Sequence, residues 1–262
     1  MLLTRVLSAA VGIPVLLLAV WYGGWIHFAV TALIMLFALH ELNKIFLKMD
    51  LKPSLPVMSA GIIIMSLSAF TGGIQAYGLA LAPVIILVLL SGVLRYPHAG
   101  PADVAAGLTG TLYIGLFAFF YLVRTLDGGL AWILTMLAAT WAGDTVAYFI
   151  GKKMGKRKLA PSLSPGKTVE GALGGVIGSI SGALLVYMFY PLMSYPQLVA
   201  VGVLVGITGI LGDLFESTLK RQAGMKDTGA IIPGHGGVLD RFDSMIFTAP
   251  AVYYYVTFVV NH

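Results

Sequence analysis

The segment Ser217–Asp243 reads S-T-L-K-R-Q-A-G-M-K-D-T-G-A-I-I-P-G-H-G-G-V-L-D-R-F-D and is far more polar than its surroundings. It separates two apolar runs, at about 197–216 and 244–260, and each run is long enough to cross the hydrocarbon core of a bilayer. The residues of this segment that can carry charge are Lys220, Arg221, Lys226, Asp227, His235, Asp240, Arg241 and Asp243. Cations suit phosphate oxygens and carboxylates suit divalent metals, so the segment predicts a phosphate and metal site at a membrane surface.

The composition is that of an integral membrane protein. Of the 262 residues, 58% are hydrophobic and only 10% are charged, which lies outside the range of soluble globular domains. The net charge of +5 is expected from the cytoplasmic loops of such a protein, so it does not indicate a nucleic-acid partner. The absence of cysteine excludes disulfides, Cys-ligated zinc and a thiol nucleophile.

Apolar runs of membrane-spanning length recur about nine times along the chain. Their approximate limits are 6–22, 25–43, 55–72, 77–94, 104–123, 130–150, 170–192, 197–216 and 244–260. Lipid offers no partner to unpaired backbone groups, and the runs lack the alternation of barrel strands, so we predict helices throughout. The predicted fold class is all-α, a polytopic membrane protein with about nine transmembrane helices. The first run is expected to be retained, because no A-x-A-like cleavage site follows it.

The basic residues predict the orientation of the chain in the membrane. With the N-terminus in the cytoplasm, all but one of the 16 lysines and arginines fall in inner segments, and only Arg124 lies outside. The C-terminus is then outside. The two longest inner loops, 151–169 and 217–243, indicate that a catalytic face would be cytoplasmic. We expect residues 1–128 to form a scaffold of helices and residues 129–262 to carry both of these loops.

Several carboxylates fall within or at the ends of apolar runs, namely Asp144, Asp213 and Glu216. An Asp at the centre of a spanning helix costs about 2.5–3.5 kcal/mol, so such residues usually face a polar cavity. If the eighth run continues as a helix, Asp213, Glu216, Ser217 and Lys220 form one stripe at i, i+3, i+4 and i+7. The alternative is an ordinary ion pair with a nearby lysine, such as Glu216 with Lys220.

Two further carboxylates, Asp240 and Asp243, lie three residues apart where the ninth helix is expected to begin. The helix dipole favours negative charge at a helix start, so a capping role alone would explain one of these two residues. We expect the other, Asp240, to bind a metal. The preceding P-G-H-G-G turn at 233–237 gives the backbone freedom for a close approach to a ligand. His235 is open to three roles, as a base, a phosphate donor or a turn residue.

The loop 151–169 has two parts. The basic cluster 152–158 is predicted to set topology and to contact anionic lipid. The following S-P-G-K-T-V-E-G resembles the end of a P-loop, but Pro161 replaces the first glycine and no strand is expected to precede it, so a Walker ATPase is rejected. Lys167 and Thr168 lead into a helix N-terminus, where phosphate is readily bound. In that helix, glycines at four-residue spacing from Gly171 to Gly182 predict close packing against a neighbour.

These motifs resemble the signature of the phosphatidate cytidylyltransferases, also called CDP-diacylglycerol synthases. The similar stretches are G-D-T-V-A-Y-F-I-G-K, L-S-P-G-K-T-V-E-G, G-D-L-F-E-S and the whole of 217–243, and all lie in the second half of the chain. The resemblance implies a Mg²⁺-dependent reaction in which CTP and phosphatidic acid give CDP-diacylglycerol and pyrophosphate. It also implies an integral protein of the inner or plasma membrane of a prokaryote, with the active site facing the cytoplasm. A second metal ion and a homo-oligomer are left open.

The resemblance also assigns hypothetical roles to residues of this chain. Asp213 and Asp240 are expected to bind the metal, with Asp144 and Asp243 either as further ligands or as residues that support the ligands. The phosphate groups of the two substrates are expected to bind to Lys167, Lys220, Arg221 and Lys226, with Asp227 orienting Lys226. The remaining substrate-binding candidates are Ser217, Thr168, Arg241, His235, Gly236 and Gly237, of which the last three would shape the loop over the nucleotide.

The sequence lacks the features expected of two other functions. A transporter of anionic substrates would use intramembrane carboxylates at its midplane, but the repeated halves expected of it are missing and the polar residues collect on one side. A CDP-alcohol phosphotransferase would carry D-G-x-x-A-R followed by G-x-x-x-D-x-x-x-D, which this chain lacks.

Overall fold

The computed structural model describes residues 2–191, 193–234 and 236–260, and for residues 2–5 it describes the backbone alone. The helices are α1 (Leu2–Tyr22), α2 (Gly24–Lys48), α3 (Leu55–Leu94), α4 (Pro101–Gly115), α5 (Ala118–Thr125), α6 (Gly129–Met154), α7 (Val169–Tyr187), α8 (Tyr195–Gln222) and α9 (Leu239–Tyr255). A π-helical segment, Val256–Val260, extends α9, and two short strands, β1 (Lys158–Ala160) and β2 (Ser164–Thr168), lie between α6 and α7. His235, one of the predicted site residues, lies outside the described residues.

Among the described residues, six helical segments are long and apolar enough to cross a membrane, which supports a polytopic integral membrane protein. They are α2, α3, the segment Pro101–Thr125 formed by α4 and α5, α6, α7 and α8. The count of nine spans and the orientation of the termini stay predictions. The runs 55–72 and 77–94 form the two helical halves of α3, which are separated by non-helical backbone at Gly72 and Gly73. Gly73 has φ 62°, a conformation that glycine adopts without steric cost.

The chain forms two compact units. The first contains residues 1–125 and 219–242, and the second contains residues 126–218 and 243–262. In the first unit, the core includes fully buried side chains of α2 and α3, such as Leu39, Leu42, Met58 and Ile62. That residues 1–128 form a scaffold and residues 129–262 carry the catalytic loops stays a prediction.

In the second unit, α6 and α7 approach each other closely through glycine. A Cβ atom at Gly178 would lie 2.7 Å from the carbonyl oxygen of Ala142, and one at Gly175 would lie 3.2 Å from the Cβ of Ala147. The glycine spacing in the seventh run therefore marks a packing face, as the sequence predicts. This packing fixes the start of α7, and hence the residues just before it.

The hairpin of β1 and β2 corrects one expectation, while the helical fold class is confirmed. The hairpin is a small antiparallel pair, in which Lys158 pairs with Thr168 and Ala160 pairs with Ser164. The expectation that no strand precedes Gly166 is wrong, because Gly166 lies inside β2 and β1 comes before it. The strands escaped prediction because they are short and contain Pro165 and Gly166, which sheets disfavour. Rejection of a P-loop still follows from Pro161 and from the extended, strand-paired backbone of Lys167 and Thr168.

Candidate functional site

Three carboxylates of the second unit form a compact group. Each of Asp213 and Glu216 on α8 and Asp243 on α9 offers one oxygen, and these oxygens all lie within 4.8 Å of one another. Glu216 is 1% exposed and Asp243 is 9% exposed. Hard oxygen ligands at this spacing are what Mg²⁺ prefers, so the donor set fits a divalent cation. We call these three residues the carboxylate group.

The carboxylate group contains two of the four predicted metal ligands, Asp213 and Asp243. Glu216 was recognised as an intramembrane acid of the predicted stripe but was not assigned to the metal. The stripe itself is confirmed in one respect, because α8 continues to Gln222 and so carries all four of its residues. Among the described residues, Asp144 on α6 and Asp240 do not belong to the group.

Gly212 allows α8 and α9 to meet at the carboxylate group. A Cβ atom there would lie 2.5 Å from the carbonyl oxygen of Asp243 and 3.0 Å from the Cα of Ser244. Both obstacles are backbone, so a side chain at position 212 would force the helices apart. The glycine directly before Asp213 is therefore what lets Asp243 join the two acids of α8.

Lys167 pairs with the carboxylate group. Its Nζ lies 2.6 Å from Oδ2 of Asp213, and the two side chains are 25% and 38% exposed. The Ser217 hydroxyl donates to the other oxygen of Asp213 at 3.3 Å. One residue after Lys167, Thr168 caps α7 by accepting a hydrogen bond from Gly171 N–H at 3.1 Å. The predicted helix start at Lys167–Thr168 is confirmed, and it presents the lysine to a carboxylate.

Asp240 is the centre of a separate network in the first unit. Its Oδ1 is 2.7 Å from Nζ of Lys220. Its Oδ2 accepts from Gly237 N–H at 2.8 Å, and from both N–H and hydroxyl of Thr228 at 2.9 Å. Three of these four donors thus converge on one carboxylate oxygen, Oδ2, and the lysine lies on the other. Asp240 thereby joins the end of α8, the connection 223–238 and the start of α9.

The same contacts govern the ionisation of Asp240. Burial by itself would raise the pKa of this carboxyl group. The Lys220 ammonium and the N–H groups of Gly237 and Thr228 outweigh burial, and they hold the pKa of Asp240 below its ordinary value. The folded protein therefore favours the ionised form of Asp240 at neutral pH.

The glycines of the connection make room for protein carboxylates. Gly236 has φ 86°, and a Cβ there would lie 2.9 Å from Oδ2 of Asp240. A Cβ at Gly237 would collide with the Thr228 hydroxyl and with the carboxylate of Glu41. The sequence predicted a close approach of this backbone to a ligand. Within the described residues, the close approach is to Asp240 and Glu41.

The other predicted site residues of the first unit are more open to solvent. Lys226, Asp227 and Arg241 are exposed. Arg221 is also exposed, and its Nη1 donates to the carbonyl oxygen of Met225 at 3.4 Å. Their substrate-binding roles stay predictions.

Glu41 on α2 was missed by sequence reasoning. Its side chain is fully buried, and its Oε2 accepts from the Leu239 N–H at 2.8 Å. The signal available was an acid at the end of the otherwise apolar run 25–43, the same signal that singled out Asp144.

The lowered pKa of Asp240 predicts an acid-dependent loss of stability. A carboxyl group whose pKa is lower in the folded state stabilises the fold above its ordinary pKa, and this contribution disappears as pH falls through the folded value. Asp240→Asn should therefore unfold at a lower temperature than the unchanged protein near pH 7, and the difference should shrink below about pH 4. Thermal unfolding in detergent across this pH range measures it.

The matched control is Asp227→Asn, which neutralises an exposed carboxylate of the same connection. It should change the unfolding temperature little at any pH. A gap between Asp240→Asn and the unchanged protein that stays constant down to pH 3 would contradict the assignment.

Known proteins resemble this chain along most of its length. A family model described as the cytidylyltransferase family matches residues 3–259. A phosphatidate cytidylyltransferase of Staphylococcus epidermidis is 39% identical over 251 residues, which is 95% of each chain. One from Staphylococcus aureus is 38% identical over 253 residues, again 95% of each chain, and one from Bacillus subtilis is 40% identical over 189 residues, 70% of this chain and 68% of that protein. The resemblance found in the second half thus extends into the first, and the chain belongs to the cytidylyltransferase family.

Proposed function

We propose that this protein is a phosphatidate cytidylyltransferase, which converts CTP and phosphatidic acid into CDP-diacylglycerol and pyrophosphate. The relatives that match it over 95% of its length carry that name. The structural observation that supports the proposal best is the pairing of Lys167 with the carboxylate group, because these residues belong to the motifs that carry the resemblance. A cation and clustered acids are what a reaction between two phosphate-bearing substrates needs.

The reaction requires positioning and charge neutralisation rather than a strong base. An oxygen of the lipid phosphate attacks the α-phosphorus of CTP, and the bond from that phosphorus to the bridging oxygen breaks in line. The bonding pair leaves with pyrophosphate. Since a phosphate monoester is already ionised near neutral pH, no side chain has to remove a proton from it. The protein therefore contributes mainly by holding two anions together in the reactive geometry.

The basic residues are assigned to the phosphate groups. We assign Lys167 to phosphate binding because it lies beside Asp213. We assign Lys220, Arg221 and Lys226 because they lie at or just after the end of α8. Thr168, Ser217, Arg241, His235 and the adjoining glycines remain candidates for shaping or contacting the substrates. Arginine and lysine side chains lower the repulsion between the two substrates by charge-assisted hydrogen bonds.

We assign the metal to the carboxylate group, Asp213, Glu216 and Asp243, and take Asp144 as a further candidate ligand. When bound there, Mg²⁺ would neutralise negative charge on the phosphates and orient them. A second ion stays open. For Asp240 we now favour a role in organising the connection 223–238, because four protein donors occupy its oxygens.

We also propose that the site faces the cytoplasm. The loops 151–169 and 217–243 contain ten of the 16 lysines and arginines, and basic segments are retained on the cytoplasmic side. Nine spans, a cytoplasmic N-terminus and an outer C-terminus are the arrangement that agrees with this rule. The lipid substrate would then be drawn from the inner leaflet.

Incubation of purified protein with labelled CTP, phosphatidic acid and Mg²⁺ tests the function. Label should appear in the lipid together with released pyrophosphate in equal amounts. Uptake of label into proteoliposomes without lipid product would instead indicate a transporter. Transfer only from CDP-diacylglycerol to an added alcohol would indicate a CDP-alcohol phosphotransferase.

Gly212→Ala should weaken the binding of metal to the carboxylate group. The added Cβ meets the backbone of α9, and overpacking of this kind costs about 1–3 kcal/mol. If α9 shifts away, the Mg²⁺ concentration for half-maximal activity should rise about tenfold. Measuring activity against Mg²⁺ concentration checks this.

Gly209→Ala is the matched control, one turn earlier on α8. A Cβ at Gly209 would lie 3.8 Å from the nearest atoms of Ser244 and Thr248, which is ordinary contact. This variant should keep the Mg²⁺ dependence of the unchanged protein. Equal Mg²⁺ dependence for the two alanine variants would argue against the metal assignment.

Lys167→Ala should lower kcat/KM for CTP by about tenfold or more, because a charge-assisted contact to phosphate is lost and Asp213 loses its partner. Lys153→Ala removes an exposed lysine at the end of α6 and serves as the control. Steady-state kinetics with varied CTP checks both. Unchanged KM together with unchanged kcat in Lys167→Ala would remove this lysine from the site.

A further inference from the structure

We propose that Glu41, in the N-terminal half of the chain, is a positioning residue for the connection 223–238 and, through it, for the Asp240–Lys220 pair. The effect of Glu41 on enzyme kinetics rests on the proposed function, whereas its effect on the structure of the connection does not. Glu41 lies on α2 within the first unit, as do all the residues that it contacts in this argument. No motif of the resemblance includes it.

The first contact joins Glu41 to α9. Leu239 is the first residue of that helix, so its N–H has no acceptor within the helix. Leu239 is fully buried, and its N–H donates to Oε2 of Glu41 at 2.8 Å. A buried donor left unmatched costs free energy, and a negative charge near a helix N-terminus is favourable. The Glu41 side chain therefore fixes where α9 begins.

The second contact runs through Thr228, which is 1% exposed. Its hydroxyl lies 3.2 Å from Oε2 of Glu41 and 2.9 Å from Oδ2 of Asp240. A hydroxyl has one hydrogen, so it donates to one carboxylate at a time, while the Thr228 N–H stays on Asp240 at 2.9 Å. Thr228 thus connects the buried acid of α2 to the acid that holds Lys220.

The third observation concerns glycine. A Cβ at Gly229 would lie 2.6 Å from Oε1 of Glu41, and its three nearest atoms would all belong to Glu41. A Cβ at Gly237 would also collide with Glu41. Two glycines of the connection are therefore required by one carboxylate that lies far from them in sequence.

This arrangement is poorly suited to stability alone. Burying a carboxylate is costly, and a well-packed apolar side chain usually does as well or better. The Oε1 atom of Glu41 has no hydrogen-bond partner among the residues that the structure describes. A buried acid with one unmatched oxygen is better explained by the connection that it orders than by its contribution to folding.

Spin labelling tests the structural part of the proposal. The chain contains no cysteine, so Ile231→Cys, an exposed position of the connection, gives a single labelling site without further changes. In Glu41→Ala, the label should become more mobile than in the otherwise unchanged protein. In Glu41→Gln, its mobility should stay the same, because the amide oxygen can still accept from Leu239. Unchanged mobility in Glu41→Ala would overturn the proposal.

Asn43→Ala is the matched control for general damage to α2. Asn43 is a polar residue of the same helix and is only 7% exposed. Its removal should leave the mobility of the label unchanged even if it lowers the unfolding temperature as much as Glu41→Ala does. Equal mobility in the two alanine variants would show that Glu41 acts only through stability.

Enzyme kinetics test the functional part of the proposal, with substitutions at Glu41 and Gly229 made singly and together. Glu41→Ala should lower kcat/KM about tenfold, and Glu41→Gln should lower it much less. Gly229→Ala should be harmful when Glu41 is present and close to neutral in the Glu41→Ala background, because the atoms it meets are gone. Strictly additive effects would contradict the contact. If even the unchanged protein gives no lipid product, the proposed function fails, and the spin-label result still decides the role of Glu41.

Discussion

Asp240 accepts from four donors, and the order of the connection between α8 and α9 depends on that carboxylate. Lys220 contributes the end of α8, Gly237 contributes the residues before α9, and Thr228 contributes the middle of the connection. Because these donors converge on two oxygens, the backbone must come very close to the side chain. The glycine at 236 follows from this requirement. A segment rich in glycine is in this way held by electrostatics rather than by apolar packing.

Carboxyl groups also organise the second unit, by a different route. Asp213, Glu216 and Asp243 lie at close range, where like charges are unfavourable unless a cation is near. Lys167 supplies one positive charge from the start of α7. The close approach at Gly212, in turn, brings α9 to these acids. The glycine at 212 therefore sets the distances between the carboxyl groups of α8 and α9.

Much of the helical architecture could be predicted from the sequence, because an apolar run in lipid has few alternatives to a helix. The stripe on α8 and the start of α7 at Thr168 were predictable for the same local reason. The hairpin β1–β2 was not, since three- and five-residue strands with Pro165 and Gly166 carry no periodic signal. Glu41 was missed because its partners Thr228 and Leu239 are 187 and 198 residues away, and spacing within one segment says nothing about such contacts.

The contact between Glu41 and Leu239 also has a consequence for the biogenesis of the protein. The helix that carries Glu41 is synthesised early, while its acceptor role is filled only when residue 239 has left the ribosome. Contacts this distant in sequence form late and close a long loop. Until then, the carboxylate has to stay in contact with water or with another donor, and the connection 223–238 has no fixed position. The site would therefore mature at the end of synthesis, and a truncated chain could insert its helices without acquiring it.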